Sequence, residues 1–283
     1  MALAALFFST MSLFVKLGGH HLPLAELVFA RSVVALAIAG FSLHRLGLGF
    51  WGENRRLLLL RGVLGFSALI CYFFAITRLP LADATVLQFT NPIFTALLAT
   101  LILGERMSGR DLTSALVSLL GVIVVARPSF LFGAQRAPLD LLAVMVALLG
   151  ALCSAAAYTT VRKLRETDHP MVVVWYFPLV STPLIAPIAA VDWVWPVGWD
   201  WLVLLAIGTL AQLGQVYMTR SLHLETAARA TAVSYLQIVF AIVWGLLAFS
   251  EVPSPMTLVG ATLVVLGTLG LAKRRVPASE KAT

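Results

Sequence analysis

The sequence predicts an all-α membrane protein: ten transmembrane helices arranged as two inverted five-helix repeats around a central cavity. Three observations carry that expectation. Apolar stretches of about twenty residues follow one another almost from end to end, and as a helix each is long enough to cross about 30 Å of hydrocarbon. Basic residues gather in alternate connections between those stretches. The segment from Leu79 also realigns without a gap on the segment from Glu225 after a shift of 146 residues.

Composition bounds the class. With 60% hydrophobic and 12% charged residues in 283, the chain lies far from the charge content of soluble domains. A membrane β-barrel would alternate in short segments, and no such alternation is present. The net charge of +7 resides between apolar runs rather than in a basic cluster interleaved with aromatics, which argues against a nucleic-acid partner. Cys71 and Cys153 both fall inside apolar stretches without ligand-like neighbours, so free thiols are expected. His20 and His21 are adjacent on a short loop without a third ligand, so no metal site and no cofactor are expected. The run that starts at Met1 lacks a basic n-region and reads as a first span rather than a cleaved leader.

The expected spans, in order, are 1–17, 23–44, 57–77, 81–103, 112–127, 139–161, 170–191, 200–221, 227–249 and 255–272. Their breaks carry helix punctuation: Gly18-Gly19 before Pro23, Gly47 to Gly52, Pro80, Ser108-Gly109, Pro128, Pro170, Pro196 to Gly198, and Pro253 with Pro255. The organisation is a first repeat at 1–127, a linker at 128–138, a second repeat at 139–275 and a tail at 276–283. One face of the membrane collects most of the Lys and Arg, from Arg45, Arg55 and Arg56 to Lys273, Arg274 and Arg275. The other holds Lys16, Arg78, Arg127 and Arg136, so both termini are expected in the cytoplasm. The preference for Arg over Lys and the short tails suit a bacterial inner membrane.

The fourth span carries a polar stripe. Thr85, Gln88, Pro92 and Thr95 follow helical spacing with Asn91 at the edge, and Pro92 leaves the carbonyl of Gln88 without its helical donor. The stripe is expected to face a watery cavity or to bond neighbouring helices. Under the 146-residue shift its counterparts are Thr231, Ser234, Ile238 and Ala241, with Tyr235 opposite Phe89 and Gln237 opposite Asn91. Because Ile238 replaces Pro92, a helix kink is expected in the first copy only. Five spans per half is an odd number, so the second half must lie inverted in the membrane.

The Phe29-Ala30-Arg31 triplet, Leu81 to Ala84, Asn91-Pro92, and Leu103 to Glu105 followed by Gly121 resemble the five-helix EamA unit of the drug/metabolite transporter superfamily. A second unit shows Glu225 to Thr231, then Phe249 to Glu251 and Gly260. The arrangement around Glu26 to Arg31, Arg61-Gly62 and Ser250 to Ser254 resembles most the branch with S-adenosylmethionine and organic-anion carriers. The resemblance implies a ten-helix inverted-repeat carrier of small organic metabolites.

Candidate site residues follow from depth and spacing. Arg31 lies eight residues inside its span from Pro23, roughly 12 Å deep, too deep for easy snorkelling. It would meet a substrate carboxylate or phosphate, or else pair with Glu26 or cap carbonyls such as that of Gln88. Gln88, Asn91, Thr95, Tyr158, Gln212, Gln215, Ser234, Tyr235 and Gln237 complete the expected substrate-binding set. Ser12, Lys16, Asp83, Arg162 and Arg229 are gate candidates, with interfacial snorkelling or solvated helix ends as the plainer reading. No acidic residue falls near the midplane, which favours facilitated diffusion or exchange over proton drive. Expected partners are a small-molecule substrate and the lipid bilayer. Ser114, Ser118 and Gly121 on helix five, with Gly260 and Gly267 on helix ten, give small faces for packing within the chain or in a homodimer. The absence of HExxH and GxSxG argues against an enzyme. The remaining alternatives are a receptor or scaffold without transport and a proton-coupled exporter.

Overall fold

The computed structural model describes residues 1–18, 22–79, 81–105, 108–126, 131, 140–250 and 253–272. His20 and His21, the linker core, Glu251 and the C-terminal tail lie outside that set, as does the side chain of Asp83. The described elements are α-helical throughout. The first half comprises α1 (Ala2–Gly18), α2 (Leu24–Arg45), α3 (Arg55–Arg78), α4 (Leu81–Gln88), α5 (Asn91–Leu103) and α6 (Gly109–Ala126). The second comprises α7 (Leu141–Leu164), α8 (Pro170–Ala189), α9 (Asp200–Leu224), α10 (Ala227–Val233), α11 (Leu236–Phe249) and α12 (Pro255–Ala272). Since α4 with α5 and α10 with α11 are each one broken span, these elements make the ten expected spans. Among the described residues, seven spans are long and apolar enough to cross a bilayer by length and composition, and Ala2–Gly18 and Pro255–Gly270 are shorter apolar helices.

Local chemistry sets the helix starts. The Asn54 side chain accepts from Leu57 N at 3.3 Å, Asp140 accepts from Leu142 N at 3.0 Å, and His169 Nδ1 accepts from Met171 N at 3.2 Å. Each supplies an acceptor to an amide that has no partner within its helix.

The two halves repeat in detail. Shifted by 146 residues, the helix ends Gly18, Arg78, Leu103 and Ala126 fall on Leu164, Leu224, Phe249 and Ala272. The starts Leu24, Leu81 and Gly109 fall on Pro170, Ala227 and Pro255. Even the left-handed cap recurs: Gly104 closes α5 at φ 65 and Ser250 closes α11 at φ 54. A non-glycine residue there is uncommon. Close contacts recur as well. Gly62 packs on Val180 and its counterpart Gly208 packs on Val34, the counterpart of Val180.

Gly121 faces the backbone of Gly260 and Val264, and Gly267 faces Ser114 and Ser118. The small faces of α6 and α12 therefore pack on each other within the chain, which leaves any dimer contact to other surfaces. Fully buried alanines, among them Ala4, Ala39, Ala151 and Ala155, bring other helices similarly close. One apolar cluster gathers Leu43, Leu58, Val161, Leu164 and Leu222 at the end that carries Arg162; another gathers Leu22, Leu27, Val203 and Ile207 at the end that carries Lys16.

The kink was expected in the first copy alone, and the structure corrects this. Both copies break. In the first, Phe89 and Thr90 leave the helix, and the Thr90 hydroxyl donates to Leu87 O at 2.6 Å. In the second, Ser234 and Tyr235 do so, and the Ser234 hydroxyl donates to Thr231 O at 2.6 Å. A short hydroxyl that takes a helical carbonyl offers the backbone an alternative to the i−4 ladder, so no proline is needed. Pro92 sits in the first turn of α5, where a missing N–H costs little.

Candidate functional site

A cavity of about 290 Å³ lies between the two halves, at the level of the two helix breaks. Its lining consists largely of counterpart pairs: Ser12 with Tyr158, Arg31 with Phe177, Leu69 with Gln215, Gln88 with Ser234, and Asn91 with Gln237. Broken helices bring polar side chains and turn backbone to mid-membrane depth, which is tolerated where the backbone borders protein or water rather than lipid.

Seven of the expected substrate-binding residues line this space: Arg31, Gln88, Asn91, Tyr158, Gln215, Ser234 and Gln237. The Gln88 amide donates to Ser154 Oγ at 3.1 Å, tying α4 to α7. Three of the set do not line it. Thr95 is fully buried and donates to Asn91 O at 2.8 Å, so its hydroxyl is spent within α5. The break at 89–90 resets the helical phase, so Thr95 no longer follows Gln88 along one face. Tyr235 is fully buried beside Phe89, and its hydroxyl donates to Phe89 O at 3.0 Å. Gln212, one turn before Gln215 on the same face of α9, is 2% exposed and does not reach the cavity.

Arg61 is the residue that spacing arguments missed. It is 3% exposed, lines the cavity from α3, and donates through Nη2 to Gln215 Oε1 at 2.8 Å. Its Nε and Nη1 are buried without a hydrogen-bond partner. The ring of Phe177 meets both cations, with Arg61 Cζ 4.8 Å and Arg31 Cζ 5.7 Å from its centroid. Arg61 lies six residues inside α3 from Arg55, about 9 Å at 1.5 Å per residue, shallower than Arg31 by sequence and so passed over by the depth argument. Arg31 does not pair with Glu26, whose carboxylate accepts instead from Val194 N at 3.1 Å.

A second, mostly apolar cavity of about 610 Å³ shares Ser12, Arg31, Leu69 and Tyr72 with the first and extends along α1 and α2 to Lys16 and Leu24. Lys16 and Ser12 thus border a path from one membrane face to the site. At the opposite end buried polar contacts tie the helices together. Arg162, expected at an interface, is 6% exposed; its Nε contacts Glu105 Oε1 at 2.6 Å, and its Nη1 donates to Leu222 O and His223 O, each at 3.0 Å. The other Glu105 oxygen accepts from Ala227 N at 2.9 Å, at the start of α10. Arg229 approaches Glu225 at 3.4 Å and Asp111 at 3.9 Å on the same side. Sequence pattern marked Glu105 only as a repeat landmark; its partner was hidden 57 residues away.

Known proteins give this arrangement its context. The model of the EamA-like transporter family matches residues 1–127 and again 141–273. A pseudopaline exporter, CntI, of Pseudomonas aeruginosa is 35% identical over 96% of this chain and 94% of its own length. Solute carrier family 35 member G1 of Mus musculus is 33% identical over 96% of this chain and 77% of its own. A crystal structure at 21% identity shares the fold with a TM-score of 0.84, covering 96% of this chain and 94% of that one. Relatives are named as exporters or carriers and not as enzymes, and the chain is a multi-pass membrane transporter that belongs to the EamA-like transporter family.

Proposed function

We propose that this transporter is a secondary carrier that moves a small polar or amphipathic organic metabolite by alternating access, through facilitated diffusion or exchange. Its working parts are two inverted five-helix units, 1–127 and 139–275, joined by a linker at 128–138 and followed by a cytoplasmic tail at 276–283. The reading rests on one observation above others. The cavity lined by counterpart residues of both halves continues toward Lys16, while the buried Arg162–Glu105 pair ties the helices at the other end. A site on the seam between halves, reached from one side at a time, is the geometry that rocking inverted repeats require.

Substrate binding falls to Arg31, Arg61, Gln88, Asn91, Tyr158, Gln215, Ser234 and Gln237, all on the cavity wall. Thr95 and Tyr235 support that wall from behind, and Gln212 flanks it one turn along α9. Arg162 and Glu105 act as the latch of the closed side, with Arg229 beside them; Lys16 and Ser12 border the open side. Asp83, at the start of α4, takes a gate role at the face opposite Arg229. A lining with two arginines, and no carboxylate among the described residues, supports exchange or diffusion over proton drive. The distribution of basic residues supports cytoplasmic termini in a bacterial inner membrane and, with them, a latch on the cytoplasmic side. That the Pseudomonas relative is an exporter favours outward net movement.

Counterflow in proteoliposomes loaded with a labelled metabolite panel tests this. At least one solute is expected to exchange, and Arg31→Ala, Gln88→Ala and Gln237→Ala together are expected to abolish that exchange. Folded, reconstituted protein that moves no member of the panel would overturn the proposal.

A further inference from the structure

We infer that the midplane site takes a dicarboxylate-class organic anion, its two carboxylates held by Arg31 and Arg61 and its carbon chain lying along Phe177. The inference rests on the carrier reading and narrows its substrate class.

Charge balance is the first argument. A guanidinium stays protonated in proteins, so two of them within reach of one aromatic ring place two positive charges at membrane depth. Buried charges are ordinarily paired. Ion pairs in this chain join Arg78 to Asp140, Arg162 to Glu105, and Arg229 to Asp111 and Glu225; among the described residues none reaches Arg31 or Arg61. Gln215 gives Arg61 a neutral acceptor and no charge. The missing counter-charge is two negative units, and the place for it is the cavity.

Donor inventory is the second. The Nε and Nη1 groups of Arg61 are buried without acceptors, so donors on two edges of its guanidinium stand open to carboxylate oxygens. Arg31 lies at the junction of the two cavities, so a ligand arriving from the Lys16 side meets it before reaching Arg61. Two separate guanidinium groups suit two separate carboxylates better than both charges on a single phosphoryl group. Phe177, Phe8, Leu69 and Phe89 supply apolar wall for the chain between them.

Titration calorimetry on the purified chain in detergent tests this, with succinate, glutarate and N-acetylglutamate as probes and glutaramide, acetate and glycerol phosphate as comparisons. The dicarboxylates are expected to bind, and glutaramide and acetate to bind far more weakly. Arg31→Gln and Arg61→Gln are each expected to weaken glutarate by about 10- to 100-fold, the loss of a charge-assisted hydrogen bond, while Arg45→Gln on an exposed helix end leaves it unchanged. Arg61→Lys, which keeps the charge and loses the planar set of donors, should fall between. Dicarboxylates that bind no better than glutaramide, or glycerol phosphate binding in their place, would overturn the inference in the native chain without reliance on any variant. If proteoliposomes exchange neutral or zwitterionic solutes while ignoring dicarboxylates, this inference fails and the carrier reading stands; if nothing exchanges, the carrier reading fails.

Discussion

The hydroxyl of Tyr235 donates to the carbonyl of Phe89 at 3.0 Å, and the two residues are each other's counterparts, 146 positions apart. Ser118 and Val264, another counterpart pair, meet through a side-chain hydroxyl and a carbonyl at 3.5 Å. A residue touches its own copy only beside an axis that relates the copies. These pairs support a two-fold relation between the halves whose axis passes the helix breaks and the α6–α12 contact. Tyr235→Phe keeps the ring beside Phe89 and removes the hydroxyl, so a stability loss of about 1 kcal/mol is expected in thermal denaturation, with the fold retained.

The latch predicts a larger effect. Arg162 and Glu105 have side chains 7% and 15% exposed, and removing one partner strands the other. Arg162→Ala is expected to cost about 3 kcal/mol, read as a lowered thermal midpoint in detergent. An unchanged midpoint would mean that the pair contributes nothing to the closed end.

Close approach of α6 and α12 predicts a steep glycine dependence. A Cβ at Gly121 would lie 2.6 Å from Gly260 O and 2.7 Å from Val264 N, both backbone atoms that cannot turn aside. Gly121→Ala is expected to destabilise by about 2 kcal/mol. Gly109→Ala, where nothing lies within 4 Å, should change stability by less than about 0.5 kcal/mol.

The break in α4–α5 should survive without its proline. Thr90 holds Leu87 O, and the second copy breaks with Ile238 at the matching position. Pro92→Ala is expected to change stability by no more than about 1 kcal/mol and to retain solute exchange. Loss of exchange in a folded Pro92→Ala protein would return the proline to the centre of the mechanism.

Much of the fold was legible because membrane helices announce their ends. Pro23, Pro170, Gly109 and Pro255 lie at or beside helix starts, and the 146-residue shift recovered the matching bounds of both halves. Helix spacing found one polar face of α4 and α9 but not which neighbour covers each residue on it. Gln212 and Gln215 sit three apart, yet only Gln215 reaches the cavity. The second helix break was hidden because its cause is a serine hydroxyl bonded to a carbonyl three residues back, which leaves no proline to read. Arg162 looked like an interfacial residue because its acceptors come from Glu105 and the end of α9, remote in sequence.

Sided alkylation of one cysteine tests alternating access most directly. Ser154 lines the cavity beside Gln88, so Ser154→Cys in a chain with Cys71→Ala and Cys153→Ala reports which membrane face reaches the site. A membrane-impermeant thiol reagent is expected to react from the Lys16 face in the resting protein, and Glu105→Gln is expected to lower that reactivity and raise reactivity from the Arg162 face. Reaction from both faces at once, or from neither under any condition, would contradict a site opened to one side at a time.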